Sequence, residues 1–407
     1  MRFKIAAFLV TYKHLFFLGI LFSLVISIKL NSIFIVLGFL QWALISNAEK
    51  VAFFKKNKLF IGLFIAYFLC FSISLIYSEN LMLGWQDLES KLALIILPPL
   101  ILGQKPLNKN QLKHLLTWYT NLMVLICVFM LALSFSAHYT LISNQALSSL
   151  IGMHASYLSL YLAIAVFFCL SELLNRKQVA KNAIVVVFLS IVLVFLSARM
   201  VLMAMVLSLF FWFVFIQFNW KRLLFISSAV LIIITIGWNI ESVKSRFEEG
   251  LVGEEIKFQT IPKEQVTSAG GKAIRVAIWK CAKDVVAEHW LIGVGAGDVH
   301  EELQASYKRN EFQLAWQYNN YNSHNLFIET IIAVGISGVV ILLILFSMLF
   351  YEFIRNKNIL FFAFTSLFFL FSLIESSFNV QRGLVFLVLF SCLFWSVRNE
   401  PEIENLK

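Results

Sequence analysis

Apolar runs close to twenty residues long recur along most of this chain, separated mainly by short polar connections. A helix of about that length is what crossing roughly 30 Å of hydrocarbon requires. Lipid satisfies no backbone N–H or C=O group, so a spanning segment must close its hydrogen bonds as a helix or within a closed barrel. A barrel would show alternating segments of about ten residues, and the runs here are continuous. The expected fold is therefore an all-α polytopic membrane protein. Composition points the same way. Hydrophobic residues make up 60% of the chain and charged residues 14%, with a mean hydropathy of +0.83, whereas a soluble domain carries roughly 25% charge.

The runs fall at 8–28, 32–48, 59–77, 85–103, 114–135, 152–174, 181–198, 200–218, 222–239, 325–351, 359–378 and 383–398. They predict about twelve transmembrane helices. The fourth is the weakest, with Asp87, Glu89 and Lys91 towards one end and Pro98-Pro99 towards the other. Loop charge argues for keeping it. Lys50, Lys55, Lys56 and Lys58 follow the second run, Lys105, Lys109 and Lys113 the fourth, Arg176 and Lys177 the sixth, and Arg355 and Lys357 the tenth. Cations concentrate in cytoplasmic connections, so the even connections and both termini are expected inside. The N-terminal stretch MRFKIAAFLVTYKHLFFLGI lacks a persuasive cleavage site and reads as a retained first helix. The expected organisation is helices one to nine over 1–239, a large outward-facing loop over 240–323, helices ten to twelve over 324–398, and a cytoplasmic tail over 399–407.

The large loop carries signals of order. AIRVAIWKCAKDVVAEHW places Ile274, Ile278, Cys281 and Val285 on one face at helical spacing. GVGAGD follows. Its glycines lack the dinucleotide-binding spacing and no strand–helix unit surrounds them, so it reads as a turn between two helices. Asp298 with Glu301 fits a capping box opening the second helix. The basic excess, 33 Lys+Arg over 23 Asp+Glu, is mostly of the topogenic kind. No basic stripe interleaved with aromatics marks a nucleic-acid surface, so nucleic acid is not an expected partner. Four of five cysteines, Cys70, Cys127, Cys169 and Cys392, lie in apolar segments and Cys281 in a polar one, which builds neither a disulfide framework nor a metal cluster.

Three regions could carry chemistry. In NSHNLFIETIIAVGISG, His324 stands at the mouth of an apolar run. At 100° per residue Gly335 returns close to its face and Gly338 falls within about 40° of it, and small residues let another helix approach closely. On spacing alone His324 fits a helix cap or an interfacial anchor as well as a reacting base. Arg199, in FLSARMVLM, occupies a minimal outward turn between two runs, where a cation is disfavoured unless solvated or paired. It fits a snorkelling side chain or an anion site. Arg275 shares a basic and aromatic face with Lys272, Trp279 and Lys283, either a solvated face or a phosphate contact with sugar stacking. All three regions are expected on one side of the membrane. Two permanent cations and one titratable base suit a reaction with a diphosphate leaving group. No acidic cluster accompanies them, which favours metal-independent chemistry.

The stretch His324, Asn325, nine residues, Gly335, two residues, Gly338 resembles the signature of the O-antigen ligase / O-antigen polymerase superfamily. FLSARMVLM is similar to that family's short arginine turn, and IRVAIWKCAKDVVAEHWLIGVGAGD to its outer-loop stretch. The resemblance implies a GT-C-like glycosyltransferase in the bacterial inner membrane, with a periplasmic large loop and an active site facing the periplasm. It implies a glycan donor on undecaprenyl diphosphate and, for a ligase, a lipid A–core hydroxyl as acceptor. Transfer would invert the anomeric centre with no metal, nucleotide or other cofactor. By the same analogy Arg199 and Arg275 hold the diphosphate, while His324 activates the acceptor or orients the phosphate. Asn325, Gly335 and Gly338 would support them, and Glu375 and Arg382 would stand behind them. Polymerases share the signature and pass the glycan to another lipid-linked unit. Protein O-oligosaccharyltransferases are relatives, too. A lipid-linked sugar transporter is the rival from another class, and would want ionisable groups at the bilayer midplane and repeated broken helices.

Overall fold

A computed structural model describes residues 13–44, 47–136, 147–148, 150–196, 198–215 and 271–397. The expected ninth run, the start of the large loop and the C-terminal tail lie outside the described residues, as does the stretch before Lys13. The described residues are helical, with no strand among them. In chain order the helices are α1 Lys13–Ile26, α2 Ile28–Ala43, α3 Asn47–Ser74, α4 Leu81–Ser90, α5 Ala93–Leu102, α6 Lys109–Ser136 and α7 Ala155–Leu174. They continue as α8 Val179–Phe195, α9 Arg199–Phe215, α10 Gly271–His289, α11 Val299–Arg309, α12 Leu326–Asn356, α13 Ile359–Ser372 and α14 Gln381–Ser396.

Among the described residues, four helices contain stretches long and apolar enough to cross a membrane by themselves: Lys50–Ser74, Lys109–Ser134, Ala155–Leu174 and Leu326–Asn356. Six shorter apolar helices accompany them. Large apolar side chains are exposed on the outer helices, among them Leu40, Leu125, Ile184, Phe210 and Leu343. That is a surface suited to lipid. α14 is the post of the bundle, with nearly every side chain from Arg382 to Trp395 buried. It packs on α5, α1, α12 and α13. Aromatic faces fix its register: Phe386 stacks on Tyr161 at 4.4 Å and Trp395 on Phe60 at 4.1 Å between centroids.

The fourth run departs from expectation. It forms two ten-residue helices, α4 and α5, instead of one continuous span. The break falls at Lys91, which is only 1% exposed, bonds Asp87 one turn earlier, and lies 4.6 Å from the Phe71 ring centroid. Burying that pair fixes the chain where the charges meet, and the apolar α5 continues alone into the core.

The turn between α10 and α11 forms as expected, but Asp298 does not cap α11 through its side chain. Its carboxylate instead accepts from Ser78 Oγ and from the backbone N–H of Glu79 and of Asn80, each at 2.8 Å. Glu301 accepts from Asn80 Nδ2 at 2.9 Å. Two donors that would otherwise lack partners before α4 outbid a local cap. Asp298→Ala would remove the buried acceptor that all three share, a loss of roughly 1–3 kcal/mol. The expected readout is faster hydrogen exchange at Glu79 and Asn80; unchanged protection would contradict the clasp.

α12 is broken at Gly335, which has φ +69 and ψ −164. The break exposes helix carbonyls, and lipid could not satisfy them. The turn after α10 takes them up instead. Val294 N donates to the Ile332 carbonyl at 2.7 Å and Gly295 N to Ala333 at 3.1 Å, while Ile336 N donates to the Trp290 carbonyl at 2.9 Å. The partner close to Gly335 is therefore backbone of a loop turn, not another helix as the face argument expected. The reason is that helical periodicity lapses at a glycine with this backbone. At Gly338 a helix does come near: Tyr67 of α3 stands 3.8 Å from where a Cβ would sit.

Candidate active site

Two breaks in helical structure bring distant residues together at the Leu326 end of α12. The first is the turn before α12. Asn325 is the N-cap, its Oδ1 accepting from Phe327 N at 2.9 Å and Ile328 N at 3.0 Å, and its Nδ2 donating to the Leu373 carbonyl at 2.9 Å. This side chain therefore opens α12 and ties it to the end of α13. His324 precedes the cap with φ +45, held by its N–H to Asn322 Oδ1 at 3.0 Å. His324 is thus not the cap. Its ring is turned out of the helix, beside Tyr321 at 5.7 Å between centroids.

The second break is the segment between α13 and α14, which carries Glu375. His324 Nδ1 lies 3.2 Å from Glu375 Oε2, and Arg275 Nη2 donates to Glu375 Oε1 at 2.9 Å. Arg275 Nε also donates to the Ile374 carbonyl at 3.2 Å. One carboxylate thereby joins the loop helix α10, the mouth of α12 and the α13–α14 turn. The His324 side chain keeps 25% of its surface and Glu375 12%, so the imidazole is reachable and the carboxylate is shielded behind it. Burial by itself would raise the Glu375 carboxyl. The His324 hydrogen bond and the charges of His324, Arg275 and His154 outweigh it and hold the group below its usual value.

That direction fixes a sign. A lowered carboxyl stabilises the fold fully above its unfolded value and loses the contribution only as pH falls through the lowered folded value. The gap in unfolding temperature between the wild type and Glu375→Gln should narrow as pH falls through and below the ordinary carboxylate range. A gap that is unchanged by acidification would contradict the assignment.

Beneath the turn lies a second carboxylate. Glu329 is buried, accepts from Ser323 N at 3.0 Å and from Asn379 Nδ2 at 2.6 Å, and bonds the Ser323 hydroxyl. Ser376 Oγ accepts from Asn325 N at 3.1 Å. Trp279 donates its indole N–H to the Ser323 carbonyl at 2.9 Å, so it braces the His324 turn from α10.

Of the residues expected at the site, Arg275, His324 and Glu375 meet directly, and Trp279 and Asn325 hold the turn. Arg382 does not join them: its Nη1 donates to the Gly152 carbonyl at 2.6 Å. Lys283 is exposed two turns along α10 and is not among the groups around Glu375. The backbones of Arg199 and Lys272 open α9 and α10, but their side chains lie outside the described residues. Glu329 and His154 were not anticipated. Each carried a signal: an acid inside an apolar run, and a histidine at the mouth of one, as at His324.

A base hydrogen-bonded to a carboxylate, beside an arginine, can take a proton from a hydroxyl while the cation faces anionic oxygen. A family model described as O-antigen ligase matches residues 184–343. The match supports a likeness to the O-antigen ligase/polymerase superfamily over this part of the chain, with Arg275, His324, Gly335 and Gly338 inside it and Glu375 beyond it. No curated protein matches the chain. The matched segment is thus similar to a family of glycosyl-transfer enzymes, and the apolar helices around it are those of a multi-pass membrane protein.

Proposed function

We propose that this protein is an O-antigen ligase-like glycosyltransferase. It moves a glycan from undecaprenyl diphosphate to a hydroxyl of lipid A–core at the periplasmic membrane face. The observation that carries the reading is the contact of His324 and Arg275 with one shielded carboxylate, Glu375. In this reading Glu375 accepts Nδ1–H of His324, which leaves Nε2 to take the acceptor proton. The acceptor oxygen attacks the anomeric carbon, the bond from that carbon to the diphosphate oxygen breaks, and the configuration inverts. Arg275, with Arg199, meets the charge that develops on the departing undecaprenyl diphosphate. The carboxylate beside His324 favours the role of base over that of phosphate orienter.

The accompanying topology has about twelve spans in the bacterial inner membrane. Residues 240–323 are periplasmic and both termini cytoplasmic. The cationic site leads us to expect transfer to persist with EDTA; loss of activity restored by a divalent ion would contradict that.

The test is transfer by purified protein supplied with an undecaprenyl-diphosphate glycan and two acceptors, lipid A–core and a second lipid-linked repeat. Glycan on lipid A–core supports the ligase. Longer lipid-linked chains would make it a polymerase. Transport of the donor across vesicles without transfer would contradict both.

A further inference from the structure

At the other end of α12 the chain forms a second site, unconnected with His324. A groove of about 800 Å³ opens where α6, α7, α12, α13 and α14 meet. Lys109, Lys113, Arg355 and Lys357 line it against one carboxylate, Glu172, and Glu172 is already bonded to Lys113. The groove is therefore strongly cationic. Part of its floor is apolar, where the half-buried side chains of Leu174 and Ile359 remain open to it. Lysines that serve only to orient a membrane protein need no cavity. These share one, with a hydrophobic floor.

We infer that this groove binds an anionic glycerophospholipid, its phosphate held by Lys109, Arg355 and Lys357 and an acyl chain lying along the apolar wall. The floor separates this ligand from a soluble phosphate, which would gain nothing from Leu174 or Ile359. Basic pockets between membrane helices take acidic headgroups by this combination of charge and apolar contact.

The experiment uses the full-length protein in phosphatidylcholine nanodiscs doped with a photo-crosslinking phosphatidylglycerol or phosphatidylcholine. Peptides containing Leu112–Leu116 and Ile359–Phe361 should be labelled about tenfold more by the glycerol lipid. Arg355→Gln with Lys357→Gln should cut that labelling by about tenfold, while Arg355→Lys with Lys357→Arg retains it. Unfolding temperatures of both variants serve as the folding control. Three results would overturn the proposal. One is equal labelling by the two lipids. A second is labelling of the Lys55–Lys58 segment as strong as that of the groove, which would mean a generic basic surface. The third is full displacement by millimolar glycerol phosphate, which would make the ligand a soluble phosphate.

Discussion

His324→Ala is expected to lower glycan transfer by about 10³-fold, within the range for losing a general base, while the protein still inserts and α12 still forms. The second half of that expectation rests on the backbone. His324 sits at φ +45 and donates its N–H to Asn322; alanine keeps that N–H and tolerates left-handed φ only modestly less well. The helix cap is Asn325, not His324, so α12 should start unchanged. Glu375→Gln should lose about 10–100-fold, as an orienting partner one shell removed does. Arg275→Ala should lose more, because Arg275 both carries the cation proposed to face the diphosphate and holds Glu375. Initial rates with labelled donor, beside unfolding curves for each variant, check the set. Normal transfer by His324→Ala would remove the histidine from the chemistry.

Gly335→Ala should be the most damaging substitution away from the polar cluster. The backbone there, φ +69 and ψ −164, is one that only glycine adopts without strain. A Cβ would also stand 2.2 Å from the Leu291 carbonyl oxygen. Regular helix at 335 would withdraw the Ile332 and Ala333 carbonyls from Val294 and Gly295 and undock the turn that carries α10, and Arg275 with it. The strain alone amounts to about 1–3 kcal/mol, and the contact adds to it. A fall of several degrees in unfolding temperature, deprotection of residues 290–295 in hydrogen exchange and a large loss of transfer are expected together. Loss of transfer with the turn still protected would mean that Gly335 acts by some route other than docking.

Much of the bundle could be read from hydropathy, because lipid forces almost every apolar run into a helix. The same reasoning failed where the chain stops being helical. The fourth run looked continuous because hydropathy averages over Asp87 and Lys91, whose pairing marks a break. The Gly335 face argument assumed 100° per residue through a position that is not helical. The partner that fills the gap is a turn some forty residues earlier, and no local pattern announces it. His324 stands out because it opens an apolar run, and Arg275 because it shares a basic and aromatic helix face with Lys272 and Trp279. Glu375 carries little local signal, since its place in the site depends on what two remote segments bring to it. Asp298 was given a local role because capping is a neighbour's rule, whereas its real partners sit on the far side of the chain at residues 78–80.

That His324 and Glu375 work as one unit is tested most directly by a double-mutant cycle on the transfer rate, using His324→Ala, Glu375→Gln and both together. If the carboxylate acts through the imidazole, the double variant should be little slower than His324→Ala alone, a coupling of about 1–3 kcal/mol. Losses that multiply independently would contradict a shared centre.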